Sequence, residues 1–505
     1  MFSKVLIANR GEIAVRIIRA CRDLKITPVA VYSEADSSSL HVRLADEAYK
    51  IGPAPSSESY LKIDNLLEAA MRSGADGVHP GYGFLAENAQ FARAVIDAGL
   101  VFVGPPASAI ELMGSKISAR RIAKESGVAV VPGTTDPVKS VEDARRAAQS
   151  FGYPVMLKAA AGGGGKGMRL VASEEELEAS FQLAATESAA AFGDSQIYLE
   201  KAIIRPRHIE IQVFADTHGN VVHLGERECS IQRRHQKLVE ECPSPISDLD
   251  LRTQMGEAAI KIARAVGYVG AGTIEFLVTE NPREFYFLEM NTRLQVEHAV
   301  TELVTDIDLV CEQLKVASGA PLSFTQHNIS WRGHAIECRV YAEDPDQDFM
   351  PSPGIISALH VPDGVGVRND GSAYSGMEVS LYYDPMISKL AVWGSSRAEA
   401  INRMRRALDE YHIGGIKTTL GFLRRLIRDE KFARGTLNTG FIEDFNERSA
   451  HRTISTDYDQ QREADLAIVA AGLAYAEANT RKENYHQPDE KESRWLKAAR
   501  QAALH

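Results

Sequence analysis

Cysteine is scarce in this 505-residue chain. The five residues, Cys21, Cys229, Cys242, Cys311 and Cys338, form no CxxC pair. That excludes a disulfide framework and a cysteine-built zinc site, and it fits a reducing cytoplasm. Long apolar runs are missing too. The longest, Leu466 to Ala476, falls short of the ~20 residues that span a bilayer. The opening stretch, Met1 to Ile7, is too short an apolar segment for a signal peptide. Basic charge is in deficit, with 57 Lys and Arg against 68 Asp and Glu, for a net charge of −11. A general nucleic-acid binder is therefore not expected. The chain has no 20–50-residue repeat, no GxGxxG fingerprint at its βαβ start and no Walker A loop, because Lys166 is followed by Gly167 rather than Ser or Thr. Binding of NAD and a P-loop fold are both disfavoured.

What is present centres on Glu289-Met290-Asn291-Thr292-Arg293-Leu294-Gln295-Val296-Glu297. In an extended chain alternate side chains share a face. One face then carries Glu289, Asn291, Arg293, Gln295 and Glu297, and the other is mostly apolar. A half-buried strand with a wet outer face is the plain alternative. The polar face, however, has no Lys, Ser or Thr filler, and its members suit a divalent cation, an anion and proton transfer. A matched strand, Thr273 to Val278, precedes it, and Asn281-Pro282 marks the turn between them. A hairpin centred near Pro282 sets Glu275 opposite Glu289. Like charges facing across a ladder are destabilising unless a cation lies between them, and Mg²⁺ takes carboxylates together with substrate phosphates. Glu275, Glu289 and Asn291 thus read as a metal–nucleotide site.

Upstream, Lys4 to Ala8, Ile13 to Leu24 and Val29 to Tyr32 read as a βαβ start. His79 to Asn88 holds Gly81, Tyr82 and Gly83 in a tight loop. Lys158 ends a strand, and Gly162 to Gly165 follow it. Four consecutive glycines cannot stay helical or form a stable strand, and they free backbone N–H groups for phosphate oxygens. Ile197 to Ile203 is a strand leading from this region, with backbone groups for an adenine edge. Arg233, Arg234, His235 and Lys237 cluster within five positions and suit an anion. Ala299 to Ala317 reads as one helix, and Arg339 lies inside a strand from His334, where an arginine is usually paired or functional. Another helix is expected from about Arg397 to Tyr411.

Taken in order, HPGYGFLAEN, MGSK with Lys116, KAAAGGGGKGM, RHIEIQVFAD, ECSIQRRHQKLVEE, GAGTIEF, EMNTRLQVEH and HAIECRVYAEDP resemble the biotin carboxylases, which are ATP-grasp enzymes. The likeness covers residues 1–445. It implies an α/β fold of four parts: an N-terminal Rossmann-like domain (1–114), an ATP-grasp domain (115–330) with a mobile glycine-rich lid at about 131–203, a C-terminal α+β domain (331–445), and a helical tail (446–505). The glycine loop has one glycine fewer than many members, and the loop before Glu289 is slightly long. Neither departure removes a functional side chain.

The resemblance further implies ATP-dependent carboxylation of biotin with bicarbonate, through carboxyphosphate. ATP would be held by Lys116, Lys158, the Gly164 and Gly165 backbone, Glu200, Lys201, Ala202, Ile203, His208 and His235. Mg²⁺ or Mn²⁺ would lie on Glu275, Glu289 and Asn291. Bicarbonate would meet Lys237, Arg293, Gln295 and the Val296 backbone. Glu297 would take its proton, and Arg339 would stabilise the biotin enolate. Tyr82 and Gly83 would line the biotin pocket, and Cys229 would be packing. No Ala-Met-Lys-Met signature is present, so the biotin is expected on a separate carrier protein, in a complex with carboxyltransferase subunits. A cytoplasmic homodimer is expected, with no nucleic-acid or membrane partner. Beyond residue 446, Ala464 to Ala478 reads as a nearly apolar helix that must be buried against something. A linker (484–489) and a second helix (490–504) follow, and the whole tail is a candidate docking segment. A carbamoyl-phosphate-synthetase-like ligase and a non-catalytic scaffold remain the alternatives.

Overall fold

The structure, a computed structural model, describes residues 1–134, 136–159, 168–453 and 468–475. Met1–Ile442 forms one compact unit and Glu443–His505 a second. Among the described residues no helix is long and apolar enough to cross a membrane.

The expected βαβ start is observed. Strands Glu47–Gly52, Thr27–Ser33, Lys4–Ile7, Gly77–His79 and Val101–Phe102 lie in that order in a parallel sheet. Val5, Leu6 and Ile7 are all fully buried, as unbroken apolar runs are where both sheet faces are covered. The helix Gly11–Asp23 leaves the first strand and buries Ile13, Ile17 and Ile18 against it.

The glycine-rich region is a subdomain with its own core. Strand Val155–Ala159 runs between Met168–Val171 and Ile197–Lys201, all antiparallel. Helices Val141–Phe151 and Leu177–Phe192 back it through Ala144, Ala148, Leu177 and Ala184. Its approach to the rest is close at Gly133, where a Cβ would lie 2.8 Å from both the Leu199 carbonyl oxygen and the Glu200 Cγ. Gly164 and Gly165 lie outside the described residues.

The third element is an eight-stranded antiparallel sheet: Arg283–Asn291, Gly270–Glu280, Arg207–Ala215, Val221–Arg233, Gln236–Cys242, His334–Tyr341, Met386–Gly394 and Val367–Gly371. The boundary expected near residue 330 does not interrupt it. Strand Gln236–Cys242 pairs directly with His334–Tyr341.

Four local expectations need correction. Glu275 does face Glu289, but not by a hairpin symmetric about Pro282. The turn pairs Glu280 with Arg283, a register that would set Glu275 opposite Leu288, and an irregularity between Glu275 and Phe276 shifts it by one residue. The strand also ends at Asn291 rather than running on to Val296, because the chain turns there into the helix His298–Thr305. The single helix expected from Ala299 to Ala317 is two helices. Asp306 adopts a left-handed φ of 61° that closes His298–Thr305, and the Asp308 carboxylate accepts from the Cys311 N–H at 2.7 Å to open Leu309–Ala317. Finally, the basic cluster is divided at a two-residue turn with Arg234 and His235 both at positive φ: Arg234, His235 and Lys237 line one cavity and Arg233 does not. Arg233 pairs with Glu343 and Arg234 with Asp348, which leaves Lys237 to point inward.

In the tail, only 468–475 of the expected helix is described. It is helical, and its Ile468, Val469, Leu473 and Tyr475 are exposed. The expected linker and second helix lie outside the described residues.

The middle of the large sheet carries Arg227, fully buried. Its Nε donates to Glu210 at 2.6 Å, Nη1 to Gln212 (2.7 Å) and Thr301 (3.0 Å), and Nη2 to Thr273 (3.1 Å) and Gln295 (2.8 Å). All five guanidinium donors are satisfied. Arg227→Met leaves Glu210 buried without this partner, and the expected loss is ~3–5 kcal/mol of stability. Urea unfolding of the full chain measures it.

Candidate active site

Lys237 enters the interior from the start of strand Gln236–Cys242. Its ammonium has three donors, and each meets a carboxylate: Glu210 at 2.5 Å, Glu275 at 2.9 Å and Glu297 at 2.6 Å. Burial works against the charge, but the three acids overcome it and hold the lysine well above its ordinary range. Glu297 sits just before the helix His298–Thr305 and shares its second oxygen with Arg339 Nη2 at 2.9 Å. Burial pushes the Glu297 carboxyl up. Lys237, Arg339 and Arg227 outweigh that and hold it well below the usual carboxylate range. Arg339 also stands 2.6 Å from Glu240, out of line for a hydrogen bond. Cys229 is buried beside this cluster, and burial pushes its thiol well up. It is packing rather than a nucleophile.

The candidate metal ligands converge. Glu275 Oε1 accepts from Lys237, from Asn291 at 2.9 Å and from Gln295 at 2.9 Å, and its other oxygen stands 3.0 Å from His208 Nε2. Burial is overcome here by Lys237 and His208, so Glu275 is held well below its ordinary value. Glu289, opposite, is shifted the other way, raised first by burial and then by the Glu275 charge. The donor set of two carboxylates and an amide oxygen suits a hard divalent cation, and the raised Glu289 is a group that such a cation would ionise.

Two cavities meet over these residues. The larger, of about 640 Å³, is lined by Lys116, Lys158, Glu200, His208, His235, Lys237, Glu275, Glu289, Asn291, Gln295 and Glu297. Lys116 opens the helix Lys116–Glu125, which Ser115 caps. Lys158 and Arg120 both pair with Glu200. The second, of about 550 Å³, is lined by Tyr82 and Gly83, and Gly83 has a φ of +70° that only glycine adopts freely. Arg293, Val296 and Arg339 belong to both walls.

Lys201, Ala202 and Ile203 do not line either cavity. The Lys201 ammonium bonds the Gly152 and Tyr153 carbonyls, and the Lys201 and Ala202 amides donate to Pro132 and Pro154. Gln295 faces the site, but its amide is spent on Glu275 and Arg227.

Comparison with known proteins agrees with this geometry. Family models match in series: "Biotin carboxylase, N-terminal domain" over residues 1–110, "Carbamoyl-phosphate synthase L chain, ATP binding domain" over 115–325, and "Biotin carboxylase C-terminal domain" over 337–444. The chain belongs to the biotin carboxylase family. Biotin carboxylase 1 of Bacillus subtilis is 54% identical over 446 residues, covering 88% of this chain and 99% of that relative. The biotin carboxylase of a Nostoc species is 53% identical over 445 residues, 88% and 99% of the two chains. Among solved structures, the biotin carboxylase domain dimer of Hydrogenobacter thermophilus 2-oxoglutarate carboxylase, in complex with MgADP, ADP and bicarbonate, has a TM-score of 0.84 at 47% identity, covering 88% of this chain and 98% of that one. A Campylobacter jejuni biotin carboxylase in complex with β-γ-ATP has a TM-score of 0.85 at 47% identity, with 88% and 99% covered.

The site of this family member also contains residues that motif reading passed over. Glu87 holds the Arg293 Nε at 2.8 Å and the Thr292 N–H at 2.9 Å. Glu210, Arg227 and Glu240 surround Lys237 and Arg339. Each of these three is a charge inside a strand, the signal that picked out Arg339, and the same rule would have found them.

The raised Glu289 carboxyl and the cation compete with its proton. Divalent cation affinity, read with Mn²⁺ and ATP, is expected to rise with pH through the raised Glu289 pKa, with proton release on binding. Calorimetry in two buffers of different ionisation enthalpy measures that release, and Glu289→Gln abolishes it.

Proposed function

We propose that the chain carboxylates biotin on a separate carrier protein, spending ATP and bicarbonate, as the first half-reaction of a multi-subunit biotin-dependent carboxylase. The observation that carries this reading is the Lys237–Glu297–Arg339 cluster in the larger cavity, whose Arg339 belongs also to the wall of the second. One cavity suits MgATP and the other suits biotin, and the anion that must react with both is met between them.

Lys116, Lys158, His208 and His235 face the nucleotide phosphates. Glu275, Glu289 and Asn291 hold Mg²⁺ or Mn²⁺, which when bound neutralises charge on the transferring phosphoryl group. Bicarbonate arrives as an anion, is met by Arg293, and competes with Glu297 for Lys237 and Arg339. That competition withdraws the cations that depress Glu297, so its basicity rises when a proton must be taken. Glu297 accepts the bicarbonate proton, a bicarbonate oxygen attacks the γ-phosphorus, and ADP leaves carboxyphosphate. Carboxyphosphate breaks to CO₂ and phosphate, and the phosphate removes the biotin ureido proton. Arg339, always charged, stabilises the enolate oxygen, and the ureido nitrogen attacks CO₂.

A carbamoyl-phosphate-synthetase-like reaction is not favoured, because the matches flanking the shared ATP-binding segment are both to biotin carboxylase domains. A silent scaffold is not favoured either, since Glu297, Arg293, Lys237 and the metal ligands are all in place. The five free, buried cysteines suit a reducing cytoplasm, and a homodimer is the assembly proposed. The 446–505 tail, whose described helix exposes apolar side chains, is proposed to dock on the carboxyltransferase or carrier protein.

The purified chain is expected to hydrolyse MgATP only with bicarbonate, and faster with free biotin. Glu297→Gln is expected to cost ~10²–10⁴ in rate. Turnover indifferent to bicarbonate and biotin, or a Glu297→Gln enzyme of near-normal rate, rules the reading out. Deletion of 450–505 should leave free-biotin activity intact and abolish co-purification with the partner proteins. Normal assembly of the truncated chain would remove the docking role.

A further inference from the structure

Lys389 lies in the middle of strand Met386–Gly394 and has no solvent exposure. It is the direct cross-strand neighbour of Arg339. A buried ammonium is costly to desolvate, and an apolar side chain of similar volume is often no less stabilising. The charge therefore calls for a reason, and its partners give one. Lys389 Nζ donates to the Val296 backbone carbonyl at 2.7 Å. It stands 3.3 Å from Glu12 Oε1 and 4.0 Å from Asp370 Oδ2, and 5.9 Å from the centre of the Tyr82 ring. Glu12 in turn accepts the Tyr82 hydroxyl.

Two of these contacts are walls of the site. Val296 separates Gln295 from Glu297 and lines both cavities, and Tyr82 lines the second cavity only. The partners also come from three parts of the chain. Glu12 is on the helix Gly11–Asp23, Val296 is on the turn before His298–Thr305, and Asp370 is on strand Val367–Gly371.

We propose that Lys389 is a positioning residue for carboxylation. Through the Val296 carbonyl it sets the Gln295–Glu297 segment, and through Glu12 it sets Tyr82. The bicarbonate side and the biotin side are thereby kept at one spacing. This role rests on the proposed carboxylation of biotin. The Lys389 ammonium bonds neither the Glu297 nor the Arg339 side chain; it acts through the backbone of Val296 and, by way of Glu12, the ring of Tyr82. Small misplacements of reacting groups are enough to matter, since a shift of ~1 Å can cost ~10²-fold in rate.

The test is steady-state kinetics of the full chain with free biotin, each variant accompanied by its thermal unfolding midpoint. Bicarbonate- and biotin-dependent turnover by the unaltered chain tests the underlying reading, and the variants test positioning. Lys389→Met is expected to raise KM for bicarbonate and for biotin together, ~10-fold or more, and to lower kcat, with KM for ATP unchanged. Glu12→Met, which removes the Tyr82 acceptor but leaves the Val296 carbonyl its donor, should raise the biotin KM alone. Glu12→Gln still accepts the hydroxyl and should restore it. A Lys389→Met enzyme with ordinary bicarbonate and biotin KM overturns the proposal. So does a loss shared equally by the ATP KM and the unfolding midpoint. Should Lys389→Met not fold, the Glu12→Met and Glu12→Gln pair decides: biotin KM moved and then restored supports the proposal, and any other pattern overturns it.

Discussion

The buried guanidinium of Arg227 is the constraint on which the site depends. Its five donors reach the neighbouring strands through Gln212, Glu210 and Thr273, the helix through Thr301, and the turn before that helix through Gln295. Two of those partners pass the constraint on. Glu210, fixed by Arg227, holds Lys237. Gln295, fixed by Arg227, holds Glu275. In a low-dielectric interior each charge is stable only where the next one satisfies it, so one arginine fixes the positions of Lys237 and Glu275 together.

The same interior shifts chemically identical side chains in opposite directions. Glu275 and Glu297 are surrounded by cations and stay ionised, whereas Glu289 and Glu240 are raised by burial and by neighbouring acids, Glu240 to about 7. Differing carboxyl environments of this kind let one residue type carry several different proton affinities within one site. Substrate binding acts on this arrangement directly, because the cations that keep Glu297 ionised are the ones an incoming anion would recruit.

Much of the fold and most of the site can be read from the sequence, for physical reasons. Periodicity identified the parallel strands because Val5, Leu6 and Ile7 are buried on both faces. Alternation placed Glu289 and Asn291 together because a strand permits nothing else. What remained illegible depended on single-residue events. The shift that brings Glu275 opposite Glu289 costs one residue of register and leaves no mark in composition. The break at Asp306 needs a left-handed aspartate that an apolar helical pattern conceals. Glu210, Arg227 and Lys389 were visible as charges within strands, yet their partners are tens to hundreds of residues away.

The pairing of Gln236–Cys242 with His334–Tyr341 bears on how divisible the chain is. Lys237 and Arg339, which share Glu297, ride on adjacent strands of one ladder, although they fall on opposite sides of a family boundary. A cut near residue 330 would leave two fragments, each with a long unpaired strand edge of the kind that invites aggregation, and each with half of a charge cluster buried against nothing. Shuffling modules between relatives at that seam would separate Lys237 from Arg339, which share one carboxylate. The smallest piece that keeps both the ladder and the charge cluster whole is therefore the entire sheet, rather than the segments into which its sequence divides.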